Sequence, residues 1–201
     1  MVKIYRYLIL IFDMIHVGPV THSAPAAFST PLQQKIYETL ASLQVPFSRV
    51  DNDPSHTMED AVAINASLGG HMAKNVLLTN RQGTRYWLLV MSADKSFITR
   101  DFCAAMGGIP RVSFAPAEKL QQLLGVEYGA ANILCTLMPP AAPDPAAGTP
   151  YTLVIDREVT GSDSFMCPDG TTTSHLKIAT ADLLGSILPA TGFQPLFIDL
   201  P

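Results

Sequence analysis

The sequence predicts an α+β domain: one curved, barrel-like mixed β-sheet with helices packed around it. Three observations lead there. Segments of helical period and short β-rich runs are interspersed without a strict strand–helix–strand rhythm, which argues against a regular doubly wound fold. Two of the β-rich runs are joined by a hairpin-length loop. Of the 201 residues, 48% are hydrophobic and 15% are charged, which suits one large buried core and excludes an acidic or basic disordered tail and a coiled coil.

The elements follow in order. Pro31 to Val45 reads as a helix, because Leu32, Ile36, Leu40 and Leu43 recur at helical spacing and Pro31 suits a first turn. Phe47 to Val50 reads as a short strand. Thr57-Met-Glu-Asp60 has the form of a capping box, and the helix it opens runs through Ala61, Ile64 and Ala66 to a stop at Gly69-Gly70. Val76 to Thr79 and Tyr86 to Met91 form a hairpin around the turn Asn80-Arg-Gln-Gly83. A short helix, Thr99 to Met106, ends at Gly107-Gly108. The strand Arg111 to Phe114 leads to a helix, Pro116 to Leu124, closed by Gly125. Pro139 to Pro150, rich in Pro, Ala and Gly, reads as a loop. The strand Tyr151 to Asp156, the helix Asp182 to Leu188 and the strand Pro195 to Leu200 complete the chain.

The N-terminus stands apart. Lys3 and Arg6 precede the apolar run Tyr7 to Phe12, which Asp13 interrupts. It is too short for a membrane span of ~20 residues. It is also a poor secretion signal, since the A-x-A triplet Ala24-Pro-Ala26 has proline at its centre. Residues 1–28 are therefore set aside as an extension outside the fold, ending in a Ser/Ala/Pro-rich linker, and 29–201 form the domain. The three cysteines, Cys103, Cys135 and Cys167, are odd in number and widely spaced, so a reducing, cytoplasmic compartment is expected, with no membrane partner.

No P-loop, GxSxG elbow, GxGxxG fingerprint or HExxH pattern is present, and no residue spacing calls for a metal or a cofactor. A net charge of −4 argues against a duplex DNA-coating protein, while leaving room for a local basic pocket built from Lys74, Lys95, Arg100 and Arg111. A hydrolase so equipped relies on positioned backbone amides, a cation and the substrate's own groups. Lys74 and Asn75 stand where a glycine-containing loop enters an apolar strand, which can present a cation at a pocket mouth on a rigid root. The plainer reading of Lys74 is an exposed strand-end lysine.

An ordered series of motifs goes further. It runs His56-Thr-x-Glu-Asp-Ala61, Gly70-His-x-x-Lys-Asn-Val-Leu-Leu78, Arg111-Val-Ser-Phe-Ala115, Leu124-Gly-Val126, Val154-Ile-Asp156, Asp182-Leu-Leu184 and Gly192-x-x-Pro-x-x-Ile-Asp199. Together these resemble the YbaK/prolyl-tRNA-synthetase-associated domain over Pro31 to Pro201, most closely its freestanding prolyl-tRNA editing branch. The resemblance implies a trans-acting aminoacyl-tRNA deacylase that clears a small wrong amino acid, alanine above all, from proline tRNA. It implies the tRNA acceptor end as substrate, an aminoacyl-tRNA synthetase as a candidate partner, and no cofactor.

The family's functional lysine maps to Lys74, and its substrate loop to Gly129-Ala-Ala-Asn-Ile133, where Ile133 replaces the usual proline. Lys74 and Gly129 are thus the central candidates. His71, Asn75, Arg111, Ala130, Asn132, Cys167 and Thr172 are candidates for substrate contact. Cys167-Pro168 stands where relatives often have His-Pro, and Thr172 lies in the polar run that follows. Two rival readings remain: a tRNA- or synthetase-binding module without catalysis, and a thiol hydrolase using Cys167 with His175 nearby.

Overall fold

The computed structural model describes residues 15–140 and 149–201. Two sheets organise the chain. A three-stranded antiparallel sheet has the order β1 (Phe47–Asp51), β7 (Ser174–Ala179), β6 (Ser164–Pro168). A five-stranded mixed sheet has the order β4 (Val112–Phe114), β2 (Ala73–Asn80), β3 (Tyr86–Ser92), β5 (Thr152–Asp156), β8 (Leu196–Ile198). Pairing is antiparallel from β4 through β3 and parallel from β3 to β8. One parallel bridge, Met72 to Met166, links the two sheets where β2 begins.

The helices form for legible reasons. In α1 (Pro31–Ser42) the Thr30 hydroxyl accepts from the Gln33 amide, Pro31 occupies the first turn, and Leu32, Ile36, Tyr37 and Leu40 turn one face inward. In α2 (Met58–Leu68) Thr57 and Asp60 complete the reciprocal capping box, and Gly69 closes the end in the left-handed region at φ 66°. Two short helices, α3 (Thr99–Ala105) and α4 (Ala117–Leu124), flank β4. A 3-10 turn, Ile133–Leu137, precedes β5, and a single helical turn, α5 (Arg157–Thr160), follows it. The last helical segment runs from α6 (Thr180–Asp182) through a π-helical turn, Leu183–Ile187, to α7 (Leu188–Thr191).

Strand alternation divides the mixed sheet between two cores. Leu77, Leu88, Val90, Leu153 and Ile155 join the main core with α1, α4 and the 3-10 turn. Val76, Leu78, Trp87, Leu89, Met91 and Val154 face the opposite side, with Phe102 of α3. A third, smaller cluster of Val50, Ile64, Leu68 and Met166 fixes α2 to the three-stranded sheet.

Three features differ from the sequence reading. The hairpin β6–β7 was not expected from its polar composition. The fold also begins before residue 29: Val17 bridges Asn52, Thr21 bridges Arg49, and Phe28 stacks on Tyr37 at 5.9 Å. Backbone pairing along the edge of β1 holds this segment, so its side chains carry little trace of it. The last helix starts at Thr180 and passes through a π turn. The apolar run Tyr7 to Phe12 and most of the Pro/Ala-rich loop lie outside the described residues. Among the described residues no helix is long and apolar enough to cross a membrane.

Candidate functional site

A cavity of about 690 Å³ opens beside the N-terminal half of β2. The register explains why it is there. β4 covers β2 only from Leu78 to Asn80, with one further bond from the Ala115 amide to the Leu77 carbonyl. Backbone groups in an antiparallel strand alternate sides, so the N–H and C=O of Asn75 point the same way as those of Leu77, past the end of β4 and into the cavity. An open strand edge at a cavity supplies backbone donors at fixed positions.

Two predicted residues meet here. Lys74 and Asn75 both line the cavity, from opposite faces of β2. Lys74 pairs with Met91 across the hairpin, and its ammonium donates to the Lys95 carbonyl at 2.7 Å. One of its three protons is thereby used and two remain. The Asn75 amide nitrogen donates to the Ala73 carbonyl at 3.1 Å, and its Oδ1 is buried with no partner among the described residues.

Gly129 closes the cavity from the other side. Its φ of +94° lies where side chains are strained, and a Cβ there would stand 2.9 Å from the Ser55 carbonyl oxygen and 3.1 Å from His56 Nδ1. Only glycine lets this loop lie against the segment that enters α2. Behind it the β6–β7 loop is held rigid. The buried Asp169 carboxylate accepts from Gln33 Nε2 at 2.8 Å, the Tyr37 hydroxyl at 2.9 Å and Thr171 Oγ1 at 2.8 Å. Burial, and then this carboxylate, push the Tyr37 phenol well above the usual tyrosine range. Thr172 donates its hydroxyl to Glu127 at 3.1 Å, and its carbonyl accepts from the Ser55 amide at 2.9 Å. Thr172 thus braces the Gly129 loop from behind.

Other predicted residues are not brought to the cavity. Cys167 is fully buried in the main core, and burial raises its thiol well above the usual range, which leaves no thiolate for nucleophilic work. Ala130 is fully buried in the same core. Asn132 is fully buried as the cap of the 3-10 turn, its Oδ1 accepting from the Leu134 amide at 2.7 Å. His71 and Arg111 are exposed and do not line the cavity. Of the four candidate cations, Lys95 is held by Asp156 at 2.9 Å and Glu158 at 2.8 Å, and Arg100 pairs with Asp101 at 3.1 Å. Lys95 is thereby committed to its carboxylates, while Arg100 stays largely exposed and outside the cavity.

The structure adds residues that sequence reasoning missed. Phe114 and Tyr128 line the cavity yet are 65% and 68% exposed, so two aromatic faces stand at its mouth. Trp87 is buried in the second core. His56 and His175 also line the cavity. His56 falls within a quoted motif, whereas His175 becomes a wall residue only once β7 pairs with β6. Among the described residues no group of three His, Cys, Asp or Glu side chains could hold a metal ion.

Residues 52–185, a stretch that contains every cavity residue named above, match the family described as the aminoacyl-tRNA editing domain. The chain belongs to that family. A curated relative, the prolyl-tRNA editing protein ProX of Acetoanaerobium sticklandii, is 24% identical over 100 residues, which is 50% of this chain and 60% of that protein. The match therefore spans about three-fifths of that relative's length. Among solved structures, a candidate trans-editing enzyme for prolyl tRNA synthetase superposes with a TM-score of 0.57 at 16% identity, covering 87% of this chain and 100% of the other. The hypothetical protein APE2540 superposes at 0.60 and 18% identity, covering 82% and 98%. Both establish the fold of this editing domain and nothing finer.

Proposed function

We propose that this editing domain is a trans-acting deacylase that hydrolyses the ester between a small non-cognate amino acid and the terminal adenosine of a tRNA, with alanine on proline tRNA as the substrate the family resemblance suggests. The observation that carries this reading is the open edge of β2 at Asn75, with Lys74 beside it and the Gly129 loop opposite.

An aminoacyl ester is already activated, so the protein needs no nucleophile of its own. Water attacks the carbonyl carbon, the ester C–O bond breaks, and the ribose oxygen leaves with a proton. The free ribose hydroxyl next to the ester can relay that proton. In this reading the backbone N–H of Asn75, on the open strand edge, donates to the developing oxyanion. Lys74 supplies positive charge with its two remaining protons, at the terminal phosphate or the carbonyl end. Phe114 and Tyr128 offer faces on which the terminal adenine stacks. The buried, protonated Cys167 speaks against a thiol hydrolase.

The test is a deacylation panel. Proline tRNA charged with alanine, serine, cysteine or proline is incubated with the full chain and with its Lys74→Ala variant. Loss of one non-cognate amino acid, slowed in the variant, supports the reading. Retained tRNA binding with no hydrolysis of these or of other mischarged tRNAs would favour a binding module instead.

A further inference from the structure

His175 is 1% exposed, yet it lines the cavity. It lies on β7 opposite Pro168, on the sheet face that also carries Val50 and packs against α2. Its Nδ1 is 2.8 Å from Asn52 Oδ1. The orientation of the Asn52 amide is settled by its nitrogen, which donates to the carbonyls of Asp53 at 2.7 Å and Thr172 at 3.0 Å. Asn52 Oδ1 is therefore an acceptor, and His175 must carry its proton on Nδ1. Nε2 is left as a lone-pair acceptor, and among the described residues no hydrogen bond reaches it. Burial lowers the imidazole pKa to about 4, so the ring is neutral and this lone pair is present at neutral pH.

Pro168, paired with His175 across the hairpin, is apolar, and Ala61 and Met72 also line the cavity. A neutral acceptor beside apolar neighbours suits a neutral donor. A bound ammonium seated there would lose its hydration against one partner. Asn52 also ties His175 through Thr172 to the Gly129 loop on the other side of the cavity.

We infer that His175 Nε2 accepts a hydrogen bond from a side-chain hydroxyl of the bound aminoacyl group, so that the cavity favours serine over alanine. This rests on the deacylase reading and names the substrate within it. An alanine methyl would leave Nε2 desolvated and unpaired, which is the condition under which sites built to bond a hydroxyl reject its absence.

The test compares kcat/KM for seryl- and alanyl-proline tRNA in the full chain and in His175→Leu and His175→Gln. Wild type is expected to favour serine by about tenfold or more. His175→Leu should lower serine turnover far more than alanine turnover and collapse the ratio. His175→Gln, which keeps a carbonyl acceptor, should retain part of it. Because a buried substitution can disturb folding, a second measurement uses wild type alone. The 15N resonance of His175 Nε2 should move on binding a non-hydrolysable serine amide of adenosine and stay still with the alanine amide. An unaltered ratio in folded His175→Leu, an equal loss for both esters, or equal shifts with both amides would overturn the inference while leaving the deacylase reading intact. Absence of hydrolysis of any aminoacyl-tRNA by wild type would overturn both.

Discussion

Lys74 and Lys95 are joined in series: the ammonium of Lys74 donates to the backbone carbonyl of Lys95 at 2.7 Å, while the ammonium of Lys95 is clamped by Asp156 and Glu158. The carbonyl that orients the candidate functional lysine is thus anchored by a buried ion pair at the ends of β5 and β8. Lys95 also donates to the Leu200 carbonyl at 2.5 Å, which pins the C-terminal segment to the same point.

Removing that anchor is expected to be costly. Asp156 is 1% exposed, so Lys95→Met leaves a buried carboxylate without its partner. A loss of about 3 kcal/mol follows for such a broken pair. Glu158 is half exposed, and Glu158→Gln is expected to cost about 0.5 kcal/mol or less. Urea unfolding of the two variants checks the contrast, and equal midpoints would contradict it.

The Gly129 loop yields a second expectation. Gly129→Ala places a Cβ 2.9 Å from the Ser55 carbonyl in a backbone region that side chains resist. About 1–3 kcal/mol of strain is the usual scale. The loop must shift off α2, so deacylation should fall by about tenfold or more even where the variant remains folded. Steady-state rates beside a thermal melt separate the two effects. A folded variant with wild-type kcat/KM would remove Gly129 from the site.

His175 makes stability depend on pH with a definite sign. Its folded pKa is about 4, below the ordinary histidine value of about 6.5. The unfolded chain therefore binds more protons between those values. The contribution is fully present above about pH 6.5 and is lost as pH falls towards about 4, on the order of 3 kcal/mol in all. Urea midpoints at pH 7 and pH 4.5 should differ more in wild type than in His175→Gln. An equal pH dependence in both would contradict the buried neutral imidazole.

Cys167 separates the ester-activation mechanism from the thiol one. Its side chain packs in the main core, so Cys167→Ala should cost about 1 kcal/mol of stability and leave turnover intact. Iodoacetamide should spare Cys167 in the native protein and modify the partly exposed Cys103 first. Loss of activity in a stable Cys167→Ala variant would revive the thiol reading.

Elements with a strong local signature were legible in the sequence. The Thr57 to Asp60 capping box follows from side chains that bond their own backbone, and the turn at Gly83 and the cap at Gly125 from glycine's freedom to take positive φ. The β6–β7 hairpin was hidden because its polar residues are satisfied at a distance. Asp169 is buried only because Gln33 and Tyr37 arrive from α1. Lys74 and Asn75 stand out as polar residues entering an apolar strand, whereas Gly129 is named by the family resemblance alone. Phe114, Tyr128 and His175 come from three separate elements and meet only in the folded chain. Cys167 was misjudged because strand alternation turns it into the core, one residue before Pro168 reaches the cavity wall.

Lys74, at the open edge of β2, is expected to promote ester hydrolysis without a protein nucleophile. Single-turnover deacylation of alanyl- and seryl-proline tRNA by wild type, Lys74→Ala and Cys167→Ala tests it most directly. The expected result is a rate at least about 100-fold lower in Lys74→Ala and an unchanged rate in Cys167→Ala. A Lys74→Ala enzyme as fast as wild type, or a wild type that hydrolyses neither ester, would contradict it.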